Sequence, residues 1–169
     1  NVFEMSVRAV LGQQITVKAA STLAARLVAV YGTQVQTGIE GLTHSFPAPA
    51  AILALGENIS EHLGKLGIIS ARANTIYQLA RVLADEKNDF GFCGNPEEEM
   101  QKLQAIRGIG SWTAQYIAMR AMGWPDAFLP TDAGIKKALP DHTPKELQVL
   151  SEAWRPWRSY ATVNLWNTL

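Results

Sequence analysis

The sequence predicts an all-α fold made of short helices joined by short turns. Apolar side chains recur every three or four residues along most of the chain, which is the spacing of an amphipathic helix. A capping residue precedes proline at Asn95-Pro96 and Thr143-Pro144, as happens where helices begin. No alternation of apolar and polar residues is long enough to predict a β-sheet. With 169 residues, 47% of them hydrophobic, the chain suits one compact domain or two small lobes around one core.

The first half of the chain contains five predicted helices. They cover residues 3–11, 20–31, 50–55, 60–66 and 69–83. The turn Gly12-Gln13-Gln14-Ile15-Thr16 separates the first two, and residues 33–49, rich in Gly, Thr and Pro, are predicted to be a connecting loop. Ser70 is the predicted N-cap of the fifth helix.

The second half begins with a predicted polar loop over residues 85–94. Asn95, Pro96 and Glu97 then supply a cap, a first-turn proline and a first-turn acid for a helix that runs to the turn Gly108-Ile109-Gly110. The later predicted helices cover residues 111–122 and 132–139, start at Thr143-Pro144, and run from Pro156 to the end.

The charge balance limits the kind of partner. Lys plus Arg and Asp plus Glu both number 15, so the net charge is zero. Wide, nonspecific phosphate binding needs a basic face, whereas a small footprint needs only a few local cations. The single cysteine, Cys93, cannot form an intramolecular disulfide or a four-cysteine cluster, which is consistent with the reducing cytoplasm.

Targeting segments are not expected in this chain. No apolar run approaches the ~20 residues that cross a bilayer, and the start has no basic-then-apolar signal pattern. Because the chain starts at Asn1 rather than Met, we expect it to be a piece of a longer protein.

The Gly108-Ile109-Gly110 turn is a candidate backbone-binding element. Glycines leave N–H groups unobstructed at a helix start, where an anion can bind. The carbonyls of the preceding helix could hold a monovalent cation. An ordinary turn between helices, with Gly as C-cap, explains the same residues.

Asp132 is a candidate catalytic residue. A carboxylate beside a sugar could stabilise a cationic transition state or orient a water molecule. Asp is also a preferred N-cap, and the helix predicted at Ala133 needs one. The two roles are compatible.

Aromatic residues are concentrated in the second half of the chain. Trp112 and Tyr116 are four residues apart and share a helix face; Trp124, Trp154, Trp157, Tyr160 and Trp166 follow. Their rings could stack on a base removed from a duplex, or they could pack in the core.

Several polar residues keep two interpretations. Gln13 and Gln14 could fill a gap in a duplex or form a solvated turn. The pairs Lys136-Lys137 and Arg155/Arg158 are explained by a solvated face or a local salt bridge. The histidines His44, His62 and His142 do not share metal-ligand spacing and are assigned no role.

Six short segments of the sequence occur in the same order as the matching segments of one protein family. The blocks lie at residues 3–14, 66–67, 108–114, 128–132, 154–161 and 165–166. Over nearly the whole of residues 1–169 the chain resembles the helix–hairpin–helix superfamily of DNA base-excision glycosylases, and most closely its AlkA-type 3-methyladenine DNA glycosylases. The resemblance implies the helix–hairpin–helix glycosylase fold, with two helical lobes around a cleft and the hairpin at about residues 99–121. The family's N-terminal β-rich domain is expected to be absent here.

The resemblance also implies roles for individual residues. Asp132 matches the catalytic aspartate, and the base pocket matches Trp112, Tyr116 and Trp166. The implied DNA-binding residues are Gln13, Gln14, Arg107, Gly108, Gly110 and Ser111. The backbone carbonyls of Gln104, Ile106 and Ile109 match positions that hold a Na or K ion, and no cofactor is required.

The chain departs from the family pattern at three informative positions. Arg107 stands where family hairpins often have Pro. Gln14 stands where the AlkA type has an apolar wedge, so the wedge is either a polar plug at Gln14 or the neighbouring Ile15. Trp112 stands where strand-cleaving members carry Lys, so no Schiff base can form and the resemblance implies a monofunctional enzyme. The lone cysteine excludes the iron–sulfur branch.

The resemblance therefore implies a monofunctional DNA-3-methyladenine glycosylase. Its expected partner is double-stranded DNA containing alkylated bases, and the enzyme is expected to be a cytoplasmic monomer that does not bind membranes. The alternatives are a non-catalytic helix–hairpin–helix module that binds damaged DNA and a helical protein–protein adaptor. The first would not need Asp132, and retention on DNA at moderate salt would argue against the second.

Overall fold

The computed structural model describes residues 1–84 and 95–169, which form two compact units. The first unit contains residues 1–84 together with Ala105–Ile109, and the second contains residues 95–104 and 110–169. Cys93 and the predicted loop over residues 85–94 lie outside the described residues. No helix within the described ranges is long and apolar enough to cross a membrane.

The first unit is built around one central helix. Its elements are α1 (Val2–Leu11), α2 (Val17–Tyr31), β1 (Thr33–Gln34), β2 (His44–Ser45), α3 (Pro49–Leu53), a 3₁₀ turn (Gly56–Asn58), α4 (Ile59–Gly64) and α5 (Ser70–Leu83). Helix α5 packs against α1, α3 and α4, and its Ile76 and Leu79 are fully buried. Ile106 and Ile109 are also buried, so their apolar side chains anchor the segment Ala105–Ile109 in this unit.

Two sequence expectations in this unit need correction. Ser70 is the first residue of α5 rather than its cap; the cap position is Ile69, which makes no side-chain hydrogen bond. Within the predicted loop over residues 33–49, Thr33 pairs with Ser45 and Gln34 with His44 as a short antiparallel ladder. Two residues per strand are too few for alternation to appear in a sequence.

The second unit carries the later helices. They are α6 (Pro96–Gln104), α7 (Ser111–Arg120), α8 (Ala133–Ala138), α9 (Pro144–Leu150), a 3₁₀ turn (Ser151–Trp154) and α10 (Arg158–Trp166). Helix α7 packs against α6, and α8 packs against α10. The second core includes the buried side chains of Ile117, Leu129 and Ile135.

Most predicted helix starts in this unit are confirmed. The Asn95 side chain accepts a hydrogen bond from the Glu97 N–H at 3.1 Å, and Thr143 forms a capping box with Glu146. The last helix starts at Arg158, two residues after the predicted Pro156. Trp157 is the N-cap and has a non-helical backbone (φ −116°, ψ 27°), so the helix cannot begin before Arg158. The Ser159 N–H donates to the Pro125 carbonyl at 2.9 Å, which ties the first turn to a distant loop.

Candidate active site

Asp132 lies at the start of α8, in the second unit, with its carboxylate surrounded by N–H donors. Oδ1 accepts hydrogen bonds from the backbone N–H groups of Gly134 at 2.8 Å and Ile135 at 3.1 Å, which caps the helix. Oδ1 also accepts from Trp166 Nε1 at 2.8 Å, and Oδ2 accepts from Trp112 Nε1 at 3.1 Å. The residue is only 9% exposed, so these four donors replace much of the water that a carboxylate usually binds.

Three aromatic side chains surround this carboxylate. Trp112 and Tyr116 stack with ring centroids 5.2 Å apart, and Tyr116 lies 6.3 Å from Trp166 in a tilted arrangement. All three are partly exposed, so the cluster borders solvent instead of filling a core. A carboxylate beside electron-rich ring faces can stabilise positive charge on a bound molecule.

Arg120 continues the same face of α7. Trp112, Tyr116 and Arg120 are each four residues apart, which places them in one row along the helix. The Arg120 guanidinium lies 5.5 Å from the centre of the Trp166 ring. This cation–π contact adds a positive charge to the edge of the site, and sequence reasoning did not single out Arg120.

Gly134 allows Trp166 to approach Asp132. A Cβ atom at position 134 would lie 2.6 Å from Trp166 Cδ1, 2.9 Å from Trp166 Nε1 and 3.0 Å from Asp132 Oδ1. The first two distances are shorter than side chains tolerate, so any larger residue would displace the indole. Only this packing reveals the role of Gly134, because its sequence context resembles any helix start.

A partly buried ion cluster fixes the loop that leads to Asp132. Asp126 accepts from Arg158 Nε at 2.7 Å and Nη2 at 2.9 Å, and from Arg155 Nη1 at 2.5 Å. Asp126 and Arg158 are both buried, and Glu152 pairs with both arginines. We call these four residues the Asp126 cluster. Burial alone would raise the pKa of Asp126, but the hydrogen bonds and charges of Arg158, with the charge of Arg155, hold it below the ordinary value.

Ser159 reinforces that connection. Its hydroxyl lies 2.7 Å from the Trp124 carbonyl and 3.1 Å from the Ala127 carbonyl. Helix α10 therefore binds the loop before Asp132 at its first turn and carries Trp166 at its last residue. Arg155 forms the expected local salt bridge, with Glu152 three positions before it. Arg158 differs, because its partner Asp126 lies 32 positions away in the sequence.

The remaining aromatic residues lie outside this site. Trp154 packs edge-on against Phe128, with ring centroids 5.7 Å apart. Trp157 and Tyr160 also pack edge-on, but they are 58% and 61% exposed, so core packing is the wrong interpretation for both. Trp124 is partly buried and makes its noted contact through its carbonyl group.

The first unit holds the Gly108 turn. Gly108 has a φ of +96°, and a Cβ at this position would overlap the Thr75 hydroxyl of α5. That hydroxyl lies 3.0 Å from the carbonyl oxygens of both Arg107 and Ala71. The Arg107 side chain is exposed. The turn is thus fixed to α5 through its backbone.

Gln13 and Gln14 have different surroundings in the turn after α1. Gln13 Nε2 donates to the Gly108 carbonyl at 2.9 Å, and the Gln13 carbonyl accepts from Arg72. Gln14 is exposed and has a φ of +54°, which is uncommon for a residue with a side chain. Of the two glutamines, Gln14 is therefore the one presented to solvent.

Gly110 and Ser111 form the start of α7. Gly110 occupies the N-cap position with extended backbone and no side-chain cap, so the first amides of α7 lack that partner. A Cβ at Gly110 would meet nothing within 4 Å, and its φ of −89° suits any residue. Neither packing nor conformation requires glycine here.

The backbone carbonyls of Gln104, Ile106 and Ile109 are the candidate ligands of a monovalent cation. Gln104 is the last residue of α6, and the Ile106 carbonyl accepts from the Ile109 N–H at 3.0 Å. Carbonyl oxygens are ligands that Na⁺ and K⁺ accept. Within the described ranges, no group of three or more His, Cys, Asp or Glu side chains is arranged to hold a metal ion.

Comparison with known proteins gives consistent matches. A family model described as "HhH-GPD superfamily base excision DNA repair protein" matches residues 7–158. The chain is 43% identical to "Probable bifunctional transcriptional activator/DNA repair enzyme AlkA" of Mycobacterium tuberculosis, over 98% of this chain and 33% of that protein. It is 37% identical to "DNA-3-methyladenine glycosylase 2" of Escherichia coli, over 98% of this chain and 57% of that protein.

A solved structure extends the likeness to three dimensions. The 3-methyladenine DNA-glycosylase from Archaeoglobus fulgidus superposes with a TM-score of 0.84 at 25% identity, over 98% of this chain and 57% of that one. The chain thus spans between 33% and 57% of the length of these three proteins.

Proposed function

Because the chain belongs to the HhH-GPD superfamily of base excision DNA repair proteins, we propose that it is a monofunctional DNA glycosylase. Its proposed substrate is an alkylated purine of the 3-methyladenine type in double-stranded DNA. The observation that carries this proposal is the Asp132 carboxylate, which is buried, held by two indole N–H groups and surrounded by partly exposed aromatic rings. The similarity to proteins named as 3-methyladenine glycosylases supports the choice of base.

The proposed reaction is hydrolysis of the N-glycosidic bond. The target nucleotide leaves the duplex and its base enters the aromatic cluster. Methylation at a ring nitrogen makes the base cationic, so it takes the bonding electron pair and leaves as a neutral molecule without a strong general acid. Positive charge develops on the sugar, and Asp132 stabilises it. A water molecule then bonds to C1′ and releases one proton to the solvent, which leaves a hydroxyl group on the sugar.

The hydrogen bonds indicate which oxygen of Asp132 faces the sugar. Within residues 1–84 and 95–169, Oδ1 accepts from three donors, whereas Oδ2 accepts from Trp112 alone. A carboxylate oxygen has about two lone pairs, so Oδ2 retains capacity for one more contact. We assign to Oδ2 the stabilisation of the sugar and the orientation of water.

The aromatic rings contribute modestly to selection of the base. A cationic base gains ~0.5–2 kcal/mol from each ring face that it contacts. Arg120 already lies over Trp166, and its charge opposes the entry of a second cation there. Much of the discrimination must therefore come from how readily the base flips and the bond breaks.

The proposed DNA contacts lie in three segments. Gly108 and Gly110 admit a phosphate to backbone N–H groups, with Arg107 and Ser111 beside them. Gln14 enters the gap left by the flipped nucleotide, and Gln13 holds the turn that carries it. The carbonyls of Gln104, Ile106 and Ile109 would hold a Na⁺ or K⁺ ion, whose charge would favour the nearby phosphate. The enzyme is proposed to act as a monomer in the cytoplasm.

The test is release of free base from methylated duplex DNA by wild type and Asp132→Asn. The amide keeps an oxygen for the α8 cap but lacks the negative charge, so we expect a folded variant that has lost most of its activity. Asp141→Asn, which changes an exposed aspartate of the same unit, is the matched control and should release base like wild type.

Three outcomes would contradict the proposal. Near-normal release by Asp132→Asn would show that this carboxylate is not catalytic. No release by wild type, combined with tight binding to abasic-site DNA, would identify a binding module instead. Strand breaks should appear only after alkali, and breaks without alkali would exclude a monofunctional enzyme.

A further inference from the structure

An open groove in the first unit is lined by three positively charged side chains. The groove has a volume of about 540 Å³ and lies at the start of α2, where Thr16 and Lys18 meet Gly67 and Arg72. Arg26, two turns further along α2, completes the lining. We call this feature the cationic groove.

The two guanidinium groups are held in place by backbone carbonyls. Arg26 Nη1 donates to the Leu66 carbonyl at 3.1 Å, and Arg72 donates to the Gln13 carbonyl. Gly67 makes room for Arg26, because a Cβ at position 67 would lie 3.3 Å from Arg26 Nη1. Each guanidinium has five N–H donors and a planar fork that matches two phosphate oxygens. Fixing such a group in advance lowers the entropy lost when it binds.

No acidic side chain lines the cationic groove among the residues that the structure describes. In the part of the chain that the structure describes, the ion pairs involve Arg8, Lys65, Lys102, Arg155 and Arg158 but none of the three groove cations. A chain with zero net charge therefore concentrates three positive charges in one place. Local potential of this kind selects an anionic ligand.

We infer that the cationic groove binds two neighbouring phosphodiesters of the DNA duplex, one at Lys18 and one at Arg26, as contacts additional to the Gly108–Gly110 turn. The inference rests on the proposed function. The groove begins at Ile15, directly after the exposed Gln14, so a duplex that reaches Gln14 passes the groove. Arginine forks on phosphate oxygens and a lysine beside them supply sequence-independent affinity.

The test is the salt dependence of binding to an abasic-site duplex, measured by fluorescence anisotropy for wild type and Lys18→Ala/Arg26→Gln. Each phosphate contact contributes about 0.9 to the slope of log affinity against log salt concentration. For the double variant, we expect the magnitude of this slope to decrease by about 1.8. The affinity at about 0.1 M salt should decrease roughly tenfold for each lost contact. Lys18→Ala alone should show half of the change in slope, and Lys18→Arg should restore it.

The matched control is Lys145→Ala/Arg81→Gln. It removes one exposed lysine and one exposed arginine outside the groove, with the same change in net charge, and should leave the slope as in wild type. Lys18 is exposed and its side chain has no hydrogen bond or ion pair within the described residues, so Lys18→Ala tests the inference even where the double variant folds poorly.

The outcomes separate this inference from the proposed function. The inference alone would be overturned if the wild-type protein binds DNA and releases base, while Lys18→Ala/Arg26→Gln and Lys18→Ala keep the wild-type salt dependence. A wild-type protein that does not bind DNA would overturn both. If the groove and control variants lose the same amount of affinity and slope, the effect is due to net charge, and this result would also overturn the inference.

Discussion

Asp132 performs a structural and a proposed chemical task with different atoms. Oδ1 caps α8 and holds Trp166, while Oδ2 accepts one hydrogen bond, from Trp112, among the residues that the structure describes. The helix start fixes the carboxylate, since moving it would leave two backbone donors without their acceptor. A residue can therefore be a preferred cap and still present a rigid negative charge to a ligand.

Gly134→Ala tests whether the position of Trp166 matters for this site. The added methyl group would lie 2.6 Å from Trp166 Cδ1, so the indole must shift and its bond to Asp132 must lengthen or break. We expect base release to fall at least tenfold while DNA binding changes little. The indole N–H resonance of Trp166 in a ¹H–¹⁵N spectrum should move in the same variant.

The control is Gly64→Ala. A Cβ at Gly64, the last residue of α4, would meet nothing within 4 Å. Alanine is favoured in helices by up to ~1 kcal/mol over glycine, so this variant should be as stable as wild type or slightly more so. Full activity of Gly134→Ala with an unshifted Trp166 resonance would refute the positioning role.

At the scale of elements, the two glycines of the α6–α7 turn have separable functions. Gly108 has a φ of +96° and packs against Thr75, whereas Gly110 has ordinary backbone and empty space around it. We expect Gly108→Ala to lower the free energy of unfolding by roughly 1–3 kcal/mol. Gly110→Ala should lower the free energy of unfolding by less than about 1 kcal/mol, because alanine is a poorer N-cap than glycine. It should nevertheless weaken DNA binding, because the methyl group blocks the approach of a phosphate to the backbone.

Urea unfolding and binding to abasic-site DNA, measured on both variants, distinguish these expectations. The prediction requires the stability loss to be larger for Gly108→Ala. It also requires Gly110→Ala to lose affinity without a matching loss of stability. If Gly110→Ala binds DNA like wild type, the amides at the start of α7 are not the phosphate contact.

At the scale of the whole molecule, the sequence predicts local features well and distant contacts poorly. Periodicity and caps locate most helices, and the cap at Asp132 is confirmed. The contact between Trp166 and Asp132 spans 34 positions, and no local pattern encodes such a pairing. The resemblance to a family brought Trp166 into the site, but the hydrogen bond and the space at Gly134 depend on packing.

The Asp126 cluster is a second set of distant contacts that local sequence patterns do not predict, and it contributes to the free energy of unfolding. Arg155 and Arg158 resemble a solvated basic pair in the sequence, because neither the acid 32 positions before Arg158 nor the burial of that arginine is visible there. Asp126→Asn keeps the shape but leaves the buried Arg158 with a weaker partner. Breaking a buried pair costs about 3–5 kcal/mol, so we expect a loss of that order in the free energy of unfolding at pH 7.

The pH dependence of that loss identifies its origin as charge. The Asp126 pKa lies below its ordinary value of 3.8, so the folded state favours the ionised carboxylate. Its contribution to stability is complete above the unfolded-state pKa and disappears as the pH falls through the lower folded-state pKa. In urea unfolding at decreasing pH, the stability difference between wild type and Asp126→Asn should therefore stay nearly constant from pH 7 down to about pH 3.8 and shrink below it, as the wild-type carboxylate becomes protonated. A constant difference at every pH would mean that Asp126 stabilises the protein through packing and neutral hydrogen bonds instead of charge.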